Sequence, residues 1–170
     1  MAFRFKTGQA TQLLDELDRC DLRLKAIALA MMGYAEHHFG RDLVITEIFR
    51  TEKQQRAYYP GQPYRPSVHQ FGRGIDFGIR AYTAAELDPW PYPAATPNPA
   101  LAPHEVGRLD AFWSALASYD DERPDYDSVV HHNVGLGDHL HLQVSWRPTT
   151  RLRSDRSLLR LIGQRLGVTL

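Results

Sequence analysis

The chain has one cysteine, no net charge and no long hydrophobic run. Because Cys20 is the only cysteine among 170 residues, no internal disulfide can form, as is usual for proteins that fold in a reducing compartment. Basic and acidic residues number 20 each, which argues against a nucleic-acid partner bound through bulk charge. The most apolar stretch, residues 26–32, is too short to cross a bilayer. No apolar segment follows Arg4 and Lys6 as a secretion signal requires, so we expect synthesis in the cytoplasm without a signal peptide.

The remaining composition is that of an ordinary globular domain. Apolar residues make up 43% of the chain and charged residues 24%, which at this length predicts one domain over residues 1–170. Hydrophobic periodicity predicts helices over residues 10–40 (with a break near 18–21), 51–58, 103–119 and 154–166, and strands over residues 43–50, 74–80, 128–132 and 139–146. Six of the eleven prolines lie in residues 89–103, which indicates a loop. The order of the predicted helices and strands along the chain predicts an α+β fold with a small antiparallel sheet flanked by helices and a core over about residues 22–146.

Two short stretches carry residues that suit metal chemistry. One reads Ser-Val-His-Gln-Phe-Gly-Arg-Gly-Ile-Asp at residues 67–76, and the other reads Gly-Asp-His-Leu-His at residues 137–141. A catalytic zinc ion takes three protein ligands and keeps a fourth position for water. His69, Asp76 and His141 can supply those three ligands. Zinc would then lower the pKa of its bound water to about 7 and polarise a carbonyl oxygen.

The second stretch also offers groups for proton transfer. His139 and His141 are two residues apart on a predicted strand, so they share one face while Leu140 and Leu142 face the core. A peptide hydrolase needs a group that accepts a proton from water and gives one to the leaving amine. Asp138 is the first candidate, provided that residues 137–138 belong to the turn, because strict alternation would point it away from His141. His139 is the alternative.

Both stretches resemble the motifs of a known peptidase family. Ser-x-His-x-x-Gly-x-x-x-Asp at residues 67–76 and Asp-x-x-His at residues 138–141 are similar to the two signatures of the D-alanyl-D-alanine carboxypeptidase and L-alanyl-D-glutamate endopeptidase family, which shares its structural clan with the hedgehog signalling domain. A looser third element, Arg-Thr followed by glutamine, is present at Arg50 with Gln54 or Gln55. The three elements follow the family's order. The chain departs from the usual form at Gly74, where the family has alanine.

The resemblance implies a fold of the hedgehog and DD-peptidase type and a role for each matching residue. His69, Asp76 and His141 would bind Zn²⁺. Asp138 would act as general base and acid. Arg50 would hold the substrate carbonyl or the oxyanion that develops from it, because a fixed positive charge stabilises that oxygen most in the transition state.

The resemblance also implies the substrate and its surroundings. Ser67 would orient a ligand or the substrate, and Gln54 and His139 would lie beside them. The family acts on peptidoglycan stem peptides, which contain D-amino acids. We therefore expect a monomeric zinc metallopeptidase, a carboxypeptidase or endopeptidase that degrades the cell wall once released, as a phage endolysin does. The alternative is a non-catalytic zinc-binding or phage-structural module with the same fold.

Overall fold

The structure is a computed structural model that describes residues 3–88, 96–119, 126–133 and 138–144, and it has the predicted α+β fold. The predicted helix at residues 154–166 and residues 89–95 of the proline-rich loop lie outside the described residues. In chain order the elements are β1 (Phe3–Phe5), α1 (Ala10–Arg19), α2 (Leu22–Phe39), β2 (Leu43–Glu47), α3 (Glu52–Tyr58), a 3₁₀ turn (Val68–Phe71), β3 (Gly74–Gly78), a second 3₁₀ turn (Ala84–Glu86), α4 (Pro103–Tyr119), β4 (Tyr126–Asn133) and β5 (Asp138–Val144).

The helix boundaries predicted within the described residues are confirmed, and each has a local cause. The first helical region breaks after Arg19, and α2 ends at Phe39, just before Gly40, whose φ of 61° is favourable for glycine. Thr51 caps α3 by accepting a hydrogen bond from the Gln54 backbone N–H. Pro103 is the first residue of α4, where its missing N–H costs nothing. Among the described residues, no helix combines the length and apolar character that crossing a membrane requires.

The sheet is mixed, with the strand order β1-β2-β3-β5-β4. The antiparallel prediction holds for the β2–β3, β3–β5 and β5–β4 pairs but is wrong at the edge, where β1 runs parallel to β2. The three residues of β1 are too few to show a periodic pattern. The core also begins earlier than residue 22, because Phe5, Leu13 and Leu17 are buried in it.

The strand register separates an apolar face from a polar face. Ile75 pairs with Leu142 and Phe77 with Leu140, and all four side chains are at most 1% exposed in the hydrophobic core shared with the helices. Asp76 pairs with His141 on the opposite face of the same two strands. The prediction that Leu140 and Leu142 lie behind the histidines is therefore confirmed.

Candidate metal centre and its cavity

Three elements bring His69, Asp76 and His141 together. His69 lies on the 3₁₀ turn before β3, Asp76 lies in β3, and His141 lies opposite it in β5. Ser67 caps the turn by accepting a hydrogen bond from the His69 backbone N–H at 3.3 Å. Gly72 ends the turn with a φ of 64°, a left-handed conformation that favours glycine. Turn and strand therefore hold the three side chains with little freedom.

The distances between the donor atoms fit a small metal ion. His69 Nε2 lies 3.4 Å from Asp76 Oδ1 and 3.3 Å from His141 Nδ1, and His141 Nδ1 lies 2.8 Å from Asp76 Oδ1. Tetrahedral zinc with bonds of 2.0–2.1 Å separates its ligand atoms by about 3.3 Å. Two of the three separations match this value, and the third is a hydrogen-bond length. The three buried residues could therefore hold a metal ion.

Hydrogen bonds on the far side of each imidazole decide which nitrogen faces the centre. The Ile48 carbonyl can only accept, so His69 Nδ1 donates to it at 3.0 Å and leaves Nε2 as the ligand atom. His141 Nε2 bonds Gln143 Oε1 at 2.8 Å, which turns Nδ1 toward Asp76. Bonds of this kind to the outer nitrogen are typical of metal-binding histidines.

The electrostatics of the group favour a charged carboxylate at Asp76. Burial raises the pKa of Asp76, but hydrogen bonds from His141 and His69 lower it by a larger amount. The net pKa therefore lies well below its usual range. Burial lowers the pKa of His141, whereas the hydrogen bond and charge of Asp76 raise it, and the net shift is upward. The carboxylate is therefore ionised and is stabilised by positive charge, which a bound cation also supplies.

Arg50 lies beside this group and is held from three sides. Its Nε donates to Glu47 Oε1 at 2.9 Å and its Nη2 donates to Glu47 Oε2. Its Nη1 donates to Gln55 Oε1 at 2.9 Å, and its guanidinium carbon lies 4.4 Å from the centre of the Tyr58 ring. Burial lowers the pKa of Arg50, but the bond to Glu47 raises it more, so the side chain stays charged. These bonds use three of the five guanidinium N–H groups and fix the direction of the others.

Glu47 is a site residue that the sequence reasoning missed. Regular alternation after Ile45 would send the Glu47 side chain into the core, but the pairing with β3 shifts by one residue between Ile45 and Glu47. This bulge places Glu47 opposite Asp76 and lets it line the same cavity as Arg50. Gln143 was missed too, although its spacing of two residues from His141 was a usable signal.

The structure differs from one of the remaining site predictions. Asp138 is the first residue of β5 and pairs with Asn133, so the prediction that it belongs to the turn is wrong, since the hairpin pairing extends one residue further. His139 lies close to the centre, with Nε2 at 3.8 Å from Asp76 Oδ2. Gln54 lines the cavity from an exposed position and completes the helix cap with Thr51, whereas the buried Gln55 contacts Arg50.

The candidate metal centre opens into a cavity of about 770 Å³, a size typical of ligand sites. His69, Asp76 and His141 line it together with Arg50 and Ser67. Further lining comes from the segment between β1 and α1, from α1 itself, from α3 and from the loop after α3, namely Lys6, Gln9, Gln12, Glu16, Tyr58, Tyr59, Gln62 and Arg65. The centre is therefore accessible to a ligand much larger than water.

Comparisons of the chain with protein-family models, with curated proteins and with solved structures found no match. The fold and the site together define an α+β domain with a buried histidine and aspartate group that could hold a metal ion. The resemblance to the carboxypeptidase and endopeptidase family thus depends on the short motifs themselves.

Proposed function

We propose that the chain is a zinc-dependent peptidase that hydrolyses a peptide bond in peptidoglycan stem peptides, as a carboxypeptidase or an endopeptidase. The observation that carries the proposal is the convergence of His69, Asp76 and His141 beside a cavity of peptide-binding size. The motif resemblance supplies the substrate class. The setting that fits is cell-wall degradation after release from the cytoplasm, as in a phage endolysin.

The donor set supports zinc as the metal. Two imidazole nitrogens and one carboxylate oxygen match the composition of catalytic zinc sites, whereas structural zinc sites use four protein ligands and are closed. Among the described residues the group has three members, and the cavity adjoins it. When bound, zinc would polarise the scissile carbonyl and lower the pKa of a water molecule to about 7.

The chain's own residues would supply the remaining chemistry. Arg50 would donate hydrogen bonds to the carbonyl oxygen as negative charge develops on it, and Glu47 and Gln55 hold the guanidinium in place for this. Asp138 or His139 would accept a proton from the attacking water and deliver it to the leaving amine. His139 lines the cavity beside Asp76, and a group that only held a structural ion would need neither it nor Arg50.

A digestion experiment tests the proposal. Purified protein is incubated with peptidoglycan sacculi and with a defined muropeptide, with and without chelator, and the products are identified by mass spectrometry. We expect chelator-sensitive release of a product with one cleaved peptide bond. No product from zinc-loaded, folded protein would favour the non-catalytic module, and a product that persists in chelator would exclude metal-dependent cleavage.

Variants separate the roles within the site. His141→Ala should lose both zinc and turnover, while His104→Ala, an exposed histidine on α4, should change neither. The condition on Asp138, a place in the turn, is not met, whereas His139 lines the cavity. His139→Ala should therefore retain zinc and lose about 10²- to 10⁴-fold in turnover, as expected for the loss of a general base. If His139→Ala retains turnover and Asp138→Ala loses it, the proton-transfer role belongs to Asp138.

A further inference from the structure

A lysine faces the candidate metal centre from the edge of the sheet. Phe5, the last residue of β1, lies in the core and pairs with Ile45, so continued alternation places the next residue, Lys6, on the face that carries Asp76. Lys6 is half-buried and lines the same cavity as the metal-binding group. The position is therefore available to a ligand that also reaches the metal.

Within the described residues no ion pair neutralises the charge of Lys6, in contrast to the charges of Arg50 and Arg80 in the same cavity. Glu47 pairs with Arg50, and Arg80 pairs with Glu86 at 2.8 Å. The Lys6 ammonium makes no ion pair or hydrogen bond with the part of the chain that the structure describes. With a divalent cation beside Asp76, the cavity would attract anionic ligands.

The sheet sets the distance between this end of the cavity and the metal. β1 and β3 lie on either side of β2, so their backbones are about 10 Å apart at a strand spacing of 4.7–4.9 Å. An extended peptide advances about 3.3–3.6 Å per residue. The flexible Lys6 side chain spans part of this distance between the strands. A ligand's carboxylate at Lys6 would therefore lie one or two residues along the peptide from the part of the ligand that lies beside Asp76.

We propose that Lys6 binds a substrate carboxylate located one or two residues from the scissile bond. The substrate class rests on the proposed peptidase function. Stem peptides that carry free carboxylates near the cleaved bond would bind, and the same peptides with those carboxylates converted to amides would bind less well. This subsite would set which stem peptides the chain accepts.

Calorimetry with two synthetic stem peptides tests the subsite. One peptide has free carboxylates and the other has them amidated, and each is titrated into metal-free and zinc-loaded protein. For wild type we expect amidation to weaken binding about tenfold or more, as for loss of a charged hydrogen bond. Lys6→Met should bind both peptides equally weakly, and Lys6→Arg should still prefer the free acid. Lys53→Met, an exposed lysine on α3, should behave as wild type.

The outcomes distinguish the subsite from the peptidase activity. If Lys6→Met still prefers the free acid to the same extent, or if wild type binds neither peptide, the subsite is overturned. If Lys6 governs binding but no peptide is cleaved, the subsite stands and the peptidase proposal fails. If peptides are cleaved with no dependence on Lys6 or on amidation, the peptidase proposal stands and the subsite fails.

Discussion

Replacing Gly74 by alanine would add one methyl group where β3 passes the turn that carries His69. A Cβ atom at this position would lie 2.8 Å from Val68 Cγ2 and 3.2 Å from both Cε1 and Nε2 of the His69 ring. Carbon atoms in good contact are about 3.5–4.0 Å apart. The Val68 methyl must therefore move by at least about 0.7 Å, and the imidazole by about 0.3 Å. Alanine is the usual residue here in the family that the motifs resemble, yet this chain has no room for it.

The displacement has two measurable consequences. Overpacking of this kind lowers the free energy of unfolding by about 1–3 kcal/mol. Metal sites tolerate errors of about 0.2 Å in ligand distance, so a shifted Nε2 should weaken zinc binding about 10- to 100-fold, as loss of an orienting contact does. Urea unfolding of the metal-free protein measures the first effect, and a competition titration with a zinc chelator measures the second.

Gly107→Ala is the matched control. Gly107 lies on α4, and an added Cβ meets no atom within 4 Å. Alanine in a helix should raise the free energy of unfolding by up to about 1 kcal/mol and leave the zinc affinity unchanged. If Gly74→Ala keeps both the stability and the zinc affinity of wild type, the packing between β3 and His69 is not as described and the reasoning is refuted.

Three further changes probe the surroundings of the site. Ser67→Ala should lower the free energy of unfolding by about 1 kcal/mol through loss of the cap on the His69 turn, and Ser67→Thr should retain it; equal stability of all three proteins would contradict this. Glu47→Gln and Arg50→Met should couple by about 1–3 kcal/mol in a double-mutant cycle of unfolding, and additive effects would argue against the pair. Burial raises the pKa of Cys20 to about 11, so iodoacetamide at pH 8 should label the chain in urea and leave the folded protein unlabelled; rapid labelling of the folded protein would show an exposed thiol.

The residues of the candidate metal centre could be predicted because their signals are local. A strand alternates faces with a period of two, so the spacing of His139 and His141 implies a shared face, and the structure has it. The glycines before Asp76 indicate a tight return of the chain, which Gly72 provides with its positive φ and Gly74 with its close approach to His69. The pairing of Asp76 with His141 follows once β3 and β5 are neighbours.

Other parts of the site depend on contacts that no local pattern reports. The bulge in β2 reverses the direction expected for Glu47, and nothing in the spacing of Ile45 and Glu47 signals it. The edge strand β1, which brings Lys6 to the cavity, is only three residues long and is defined by its pairing with β2.

The separate contacts of Gln54 and Gln55 could have been anticipated from the sequence. Thr51-x-x-Gln54 is the pattern of a capping box, in which the glutamine returns to the start of its own helix. The structure shows this arrangement, with Gln54 Oε1 accepting from the Thr51 backbone N–H at 2.8 Å. The next residue, Gln55, is therefore the one that turns toward Arg50.

Zinc titration of the metal-free protein by calorimetry tests the central claim most directly. The account predicts one zinc ion per chain, with binding abolished in His69→Ala, Asp76→Ala and His141→Ala and unchanged in His104→Ala, provided that circular dichroism shows each variant to be folded. A folded wild type that binds no zinc, or zinc binding that persists in all three site variants, would contradict it.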